Sequence, residues 1–348
     1  MSLFKVGVTP DFYVEAKGRF EHALEQKLRV DGLVWEPMPP QPDKVATPEA
    51  LNQYDAIFAL ALRFTPESLN GVDRLALVAR WGVGYDMIDV PSLTKAGIAL
   101  AITPNAVKRP VAEAILTFIF ALSKDLMHQD EIVRTGRWRG ELRRLGTTVE
   151  GKVLGSIGCG NIAREMFRLA ASLGFGRFIA YDPYADKDAI KQAGIELVSL
   201  EEVMRQSDYV TVNTLLNETT RGMVNEAQFR SMKPSAYFIN TSRGPIVDQP
   251  ALTRALQEKW IEGAGLDVFE KEPIAQEDEL LKLDNVILSP HGLAWTEEIV
   301  RDNGFEACDH ILSVARGEIP DGLVNREVLN HPGFQKKIAA YKANAFQS

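Results

Sequence analysis

"KVLGSIGCGNIAREMFRLAASLG", residues 152–174, passes from a run of strand formers through a glycine-broken turn into a helical segment. The turn reads G-x-G-x-x-A, with Gly158, Gly160 and Ala163 at its three fixed positions. A first glycine permits the tight turn, a second lets backbone approach a diphosphate, and a small third residue lets helix and strand pack closely. The next strand-like run, "RFIAYD", ends in Asp182, at about the 20-residue distance where a carboxylate can accept from ribose hydroxyls. The alternative is a tight turn followed by a surface aspartate. With strand, turn, helix and acidic strand end in order, a dinucleotide site is the stronger reading. The acidic Asp182 would repel a 2′-phosphate, so NAD is expected over NADP.

Working outward, the chain repeats short β-branched runs and helical segments, the rhythm of parallel α/β layers. "LFKVGV", "DAIFAL", "LALVAR" and "IALAI" are expected strands of a first unit, with helices near residues 15–29 and 90–96. "VLGSIG", "RFIAYD", "YVTVN", "AYFIN", "GAGLDVF" and "NVILSP" are six expected strands of a second, apolar enough to be covered on both faces. "RPVAEAILTFIFALSKDLMHQDEIVRTG" reads as one long connecting helix with Pro110 in its first turn, and "EEIVRDNGFEACDHILSVARG" as another. The expected architecture is α/β: a Rossmann-type, doubly wound parallel sheet inserted into a smaller flavodoxin-like α/β domain. The substrate domain would comprise residues 1–104 and 295–330, the nucleotide domain 105–294, and the polar ending 331–348 a tail or packed arm.

Composition narrows the function classes. The 348 residues are 45% hydrophobic and 25% charged, and no apolar run is long enough to span a bilayer. A net charge of −8 disfavours nucleic acid, although Arg134–Arg144 is locally basic. The two cysteines, Cys159 and Cys308, have neither disulfide nor zinc spacing, which suits a reducing cytoplasm, and no metal is expected. "MSLFKVGVTPDF" meets a proline and an aspartate before a signal-length apolar stretch could form.

Ligands of open parallel sheets bind beyond the carboxyl ends of the strands. "YFINTSRGPIVD" sets Arg243 at one such end, "GAGLDVFEKEP" sets Asp267 and Glu272 at another, and "LSPHGLAW" sets His291 at a third. A lone histidine there could be a polar strand end. The three loops deliver an arginine, a carboxylate and an imidazole to the same sheet edge. Arg243 offers a planar fork for a carboxylate. His291 could give or take a proton near neutral pH. Glu272 would fix the ring's tautomer and stabilise the imidazolium.

With "RWGVGYDMID", "VAEAILTFIFAL", "GKVLGSIGCGNIA", "NTSRGPIVDQPAL", "GAGLDVFEKEP" and "SPHGLAWT" in order, the chain resembles the D-isomer-specific 2-hydroxyacid dehydrogenase family, of the phosphoglycerate dehydrogenase-like kind. The resemblance implies catalytic residues Arg243, Glu272 and His291, and NAD contacts from Gly158, Gly160, Asn161, Ile162, Asp182, Asn213, Thr214, Thr241, Ser242 and Asp267. It places Asp267 near the nicotinamide carboxamide and gives Val83 and Gly84 as backbone donors to the substrate carboxylate. It further implies a homodimer formed through residues 105–150. Leu215, Leu293 and Trp295 depart from the family's usual residues. So do Lys108 and Arg109, which are expected at the start of the long helix and could accept a distal anionic group of the substrate. The implied activity is interconversion of a 2-hydroxy acid and its 2-oxo acid; the alternative is a dinucleotide-sensing, corepressor-like protein with little turnover.

Overall fold

A computed structural model of the chain describes residues 3–343. Among the described residues two compact units are formed, one through Val107 and again from Thr296, the other Lys108–Trp295.

The first unit carries β1 (Phe4–Val8), β2 (Leu33–Pro37), β3 (Ala56–Ala59), β4 (Leu77–Arg80) and β5 (Ala99–Ala101) in the order β2-β1-β3-β4-β5. All pairings are parallel. β2 was not among the expected strands. It lies at the sheet edge, only Leu33 of its five residues is buried, and it ends in Pro37, so neither apolar runs nor alternation mark it. The four other strands are almost wholly buried, as sequences apolar on both faces require.

The second unit carries β6 (Val153–Ile157), β7 (Arg177–Tyr181), β8 (Glu196–Leu197), β9 (Tyr209–Val212), β10 (Tyr237–Asn240), β11 (Gly263–Leu266) and β12 (Val286–Leu288). Their order is β12-β11-β10-β9-β6-β7-β8, again with parallel pairings. The two-residue β8 is the addition to the six expected. Successive residues of β10 face opposite ways: Phe238 packs with Val203, Met204 and Phe229, whereas Tyr237 and Ile239 pack with Ile115, Met166 and Phe167. The strand order reverses between β6 and β9, so a crevice opens beyond their carboxyl ends.

The connecting helix departs from expectation in two ways. It starts at Pro104, which leaves Pro110 in its interior, and it stops at Ser123. The first backbone donors are covered by Glu306, which accepts from the Asn105 and Ala106 N–H groups. A second helix, Leu126–Arg134, follows the left-handed Asp125 (φ 52°). The buried Asp125 carboxylate accepts from Arg143 Nε at 2.8 Å and also pairs with Arg143 Nη2. That pair, formed across 18 residues, offsets the cost of the break. Of the two alternatives for the chain's ending, the described residues take the packed arm. Pro332–Ala343 is a helix whose Phe334 is buried and whose Tyr341 hydroxyl donates to Asp55 at 3.0 Å. Its Lys337 donates to the Leu75 carbonyl at 2.6 Å, and burial lowers the ammonium pKa to about 8. The stripe Phe334, Ile338, Tyr341 has helical spacing but is masked by the polar residues between. The rest of the expected tail, 344–348, lies outside the described residues.

Burial alone would push the Asp125 carboxyl up, but the Arg143 guanidinium holds it below the usual carboxylate range. A carboxylate lowered in the folded state contributes stability above its unfolded pKa and loses it as pH falls through the folded value. Asp125→Asn keeps a side chain that tolerates the left-handed backbone and removes the charge. It should lower the unfolding free energy by about 2 kcal/mol at pH 7. The difference from wild type should close below about pH 4 in urea titrations. Equal stability at pH 7 would show that the pair contributes nothing.

Candidate active site

Two backbone features shape the crevice at the end of β6. Gly158 has φ +93°, and a Cβ there would lie 2.5 Å from the Asn213 carbonyl oxygen, so only glycine lets the loop after β9 pass. At Gly160 the space a Cβ would enter is open, with no heavy atom within 4 Å. Gly160 also caps the Asn161–Ala170 helix without a side-chain acceptor, which leaves that helix's first N–H groups facing open space. The Asp182 carboxylate is fixed at both oxygens, taking the Cys159 and Tyr184 N–H groups at 2.9 Å each. A carboxylate has roughly four acceptor sites, so it can still receive ribose hydroxyls. The Thr241 hydroxyl is buried with no hydrogen-bond partner among the described residues. Open cradle, anchored carboxylate and orphaned hydroxyl together fit a nicotinamide dinucleotide.

Other expected cofactor residues are committed to the framework. Asn213 Nδ2 donates to Ser156 Oγ and Thr211 Oγ1, both at 2.9 Å. Asn161 Oδ1 accepts from Arg164 at 2.6 Å, and the Ser242 hydroxyl donates to the Thr214 carbonyl. Ile162, in the first turn of the Asn161–Ala170 helix, and Thr214, on the loop after β9, are half-buried.

Three loops beyond β10, β11 and β12 carry the expected site residues Arg243, Glu272 and His291. His291 Nδ1 lies 2.8 Å from Glu272 Oε2, and Glu272 Oε1 accepts the Phe269 N–H at 3.0 Å. Burial raises the Glu272 carboxyl, but the His291 hydrogen bond and charge, the Phe269 N–H and the Arg243 guanidinium outweigh it, so its pKa is lowered. It is therefore ionised through the neutral range. His291 itself has a left-handed backbone, φ 52°, uncommon for a non-glycine residue. The conformation is held by Asp267, 4% exposed, whose Oδ1 accepts from Ser289 Oγ at 2.5 Å and from the N–H groups of Gly292 and Leu293 at 2.9 and 3.1 Å. The Arg243 turn is held similarly. Buried Asn240, the last residue of β10, accepts the Ser242 N–H and donates to the Arg243 carbonyl, both at 3.0 Å.

Residues 116–292 match the NAD-binding domain model of the D-isomer-specific 2-hydroxyacid dehydrogenases. The glyoxylate reductase of Korarchaeum cryptofilum is 38% identical over 318 residues, covering 90% of this chain and 95% of that protein. The chain belongs to the D-isomer-specific 2-hydroxyacid dehydrogenase family. Among solved structures, a glyoxylate reductase from Paecilomyes thermophila superposes with TM-score 0.80 at 28% identity, covering 93% of this chain and 99% of that one. An acyclic imino acid reductase in complex with NADPH and D-Arg superposes with TM-score 0.78 at 25% identity, covering 92% and 99%. This chain is an NAD-dependent 2-hydroxyacid dehydrogenase, and its cofactor is a nicotinamide dinucleotide.

In this dehydrogenase the loops bring Glu272 and His291 into contact and set Arg243 within electrostatic range of Glu272. Val83 and Gly84 follow β4 in the first unit, and among the described residues their N–H groups meet no acceptor in the chain. Asp267 was expected near the carboxamide; its Oδ1 is used to fix the histidine loop, while Oδ2 takes part in none of those three bonds. Lys108 and Arg109 were expected at the helix start as a distal anion site. They lie on the second turn of the helix, and Arg109 is paired with Glu113 and, at 3.7 Å, with Glu165. Sequence reasoning passed over Asn240, whose signal was an amide closing the apolar run "YFIN". It also passed over Gly244, where a Cβ would fall 1.9 Å from the Phe269 carbonyl carbon. That close approach ties the Arg243 turn to the loop bearing Glu272.

Gly244→Ala must separate those two loops. Turnover should fall by roughly 100-fold, the scale of an ångström-sized misplacement. Gly140→Ala, where a Cβ meets nothing within 4 Å, serves as the control and should leave turnover unchanged. Full activity in Gly244→Ala would contradict the tight contact.

Proposed function

We propose that this enzyme reduces a small 2-oxo acid of the glyoxylate class to its 2-hydroxy acid, of D configuration where the product is chiral. His291 is the acid and base, Glu272 its orienting partner and Arg243 the substrate anchor. The 2.8 Å bond between His291 Nδ1 and Glu272 carries the reading. With Nδ1 held by an ionised carboxylate, Nε2 is the nitrogen left for proton transfer. NADH, when bound, supplies the hydride that adds to the carbonyl carbon. Nε2–H gives its proton to the carbonyl oxygen as the carbon–oxygen double bond becomes single, and the imidazole ends neutral. In the oxidative direction Nε2 takes the hydroxyl proton and the carboxylate of Glu272 stabilises the resulting imidazolium. On the second unit Arg243 offers its planar fork to the substrate carboxylate and carbonyl oxygen; on the first, the Val83 and Gly84 N–H groups are the donors offered to a carboxylate.

The dinucleotide is held by the N–H groups that open the Asn161–Ala170 helix, Asn161 and Ile162 among them, by Asp182 at the ribose and by Thr241, while Asn213, Thr214, Ser242 and Asp267 shape the strand-end loops that line it. Anchored Asp182 favours NAD over NADP. The pairing of Arg109 with Glu113 and Glu165 supports a small substrate over one with a distal phosphate. The relatives' names point the same way, several being glyoxylate reductases. A sensor without turnover would give the Glu272–His291 bond no task; NADH oxidation with glyoxylate separates the two readings.

We also propose a homodimer through residues 105–150. Leu126, Met127, Val133, Trp138 and Leu145 there are all exposed, an apolar density that a second copy would cover. A one-chain mass in sedimentation would rule this out. No helix of the described residues is long and apolar enough to cross a membrane. Two buried, unpaired thiols suit a cytoplasmic setting.

His291→Ala should lower turnover by roughly 100-fold or more while NADH affinity stays near wild type. Glu272→Gln removes the charge that favours imidazolium, so the protonated acid is lost earlier as pH rises and the reduction profile should move to lower pH. Wild-type turnover in the first variant, or an unmoved profile in the second, removes the pair from the chemistry. For the cofactor, Asp182→Ser should raise the kcat/KM ratio of NADPH to NADH by roughly tenfold or more. A wild-type enzyme that already prefers NADPH would overturn the assignment of Asp182.

A further inference from the structure

The helix Glu297–Ala315 buries an apolar face that includes Ile299, Val300, Ala307 and Ile311, yet Asn303 lies within it at 1% exposure. Its Oδ1 accepts the hydroxyl proton of Thr103, itself 0% exposed, at 2.5 Å. A hydroxyl has one proton to give and two lone pairs to offer. With the proton committed to Asn303, the Thr103 oxygen accepts the Gly82 N–H at 2.7 Å, and the Thr103 N–H returns to the Gly82 carbonyl at 3.1 Å. Thr103 thus brackets Gly82 on both sides of its α-carbon. Two residues on, Arg80 Nε donates to the Gly84 carbonyl at 2.9 Å. The turn 82–84 is pinned at both ends, and the Val83 and Gly84 N–H groups between the pins meet no acceptor among the described residues.

An apolar pair of similar volume could pack these positions without desolvating a hydroxyl and an amide. The buried polar relay instead fixes the direction of each bond, since exchanging donor and acceptor at Thr103 would leave Gly82 N–H unpaired. We propose that Thr103 and Asn303 are positioning residues that orient the Val83–Gly84 turn toward the substrate carboxylate. This rests on the reading that those two N–H groups receive the carboxylate. Neither residue touches substrate; Asn303 acts through Thr103, and Thr103 acts through Gly82.

Holding a carboxylate is common to ground and transition states, so the effect belongs in KM more than in kcat. Thr103→Val keeps the shape and deletes the hydroxyl. It should raise the glyoxylate KM, and the Kd of oxamate for the NADH-saturated enzyme, by roughly tenfold, with kcat within about threefold of wild type. NADH affinity should not move, and Thr103→Ser, which restores the hydroxyl, should return KM toward wild type. Asn303→Leu leaves the Thr103 proton without its acceptor and should move KM in the same direction, so it decides the matter if Thr103→Val does not fold. Amide spectra of wild-type enzyme with NADH and oxamate separate the two layers. If the Val83 and Gly84 amides respond to oxamate but the folded variants bind it like wild type, the positioning role is overturned and the carboxylate reading stands. If those amides do not respond, the carboxylate reading fails and takes the positioning role with it.

Discussion

A single buried carboxylate oxygen organises the candidate site on the second unit. Asp267 Oδ1 gathers a hydroxyl and two backbone N–H groups from the loop after β12, and that loop must bend through a left-handed residue, His291. Three hydrogen bonds converge on that one buried oxygen and hold a backbone conformation that costs about 1–3 kcal/mol on its own. The imidazole then emerges where Glu272 can take Nδ1. Were the loop free, the ring would sample many orientations, and the 2.8 Å contact would be one of several.

The same arrangement recurs for Arg243. Asn240 at the end of β10 holds both the N–H and the carbonyl that flank the arginine's turn, and Gly244 lets that turn lie directly on the Phe269–Glu270 peptide. The arginine loop and the glutamate loop are therefore packed backbone to backbone, and the turns bearing Arg243 and His291 are each fixed by a buried polar residue at a strand end, Asn240 and Asp267. Sites built in this way take their rigidity from the sheet, not from the loops. The cofactor side follows the same logic, with the Asp182 carboxylate tied to the Cys159 N–H before any ribose is present.

What was legible in the sequence was what is local or periodic. Gly158, Gly160 and Asp182 could be read because a strand, a turn and a helix in succession leave glycine few alternatives, and His291 could be read because its strand ends there. The buried strands were legible as apolar runs, whereas the edge strand β2 was not, because one-sided burial at a sheet edge dilutes the pattern. The break at Asp125 was hidden because its compensation comes from Arg143, 18 residues away. The Pro332–Ala343 helix was hidden because three apolar residues suffice where Lys337 and Tyr341 bury their stems and bond by their tips. Lys108 and Arg109 were misplaced because the helix start was assigned from Pro110 instead of Pro104, and because Glu113 and Glu165, which engage Arg109, cannot be paired with it from sequence. The Asp267 clamp needed the fold itself: the residue was visible, but the direction in which its carboxylate points was not.

The central claim is that one imidazole, oriented by Glu272, passes the proton in both directions. The most direct test is kcat/KM against pH for the wild-type enzyme, measured for oxo-acid reduction and for hydroxy-acid oxidation under the same conditions. A shared acid and base predicts mirrored profiles, with reduction falling and oxidation rising through one common inflection within the pH range over which the enzyme stays folded. Profiles that are flat through that range, or that bend at unrelated pH values in the two directions, would contradict it.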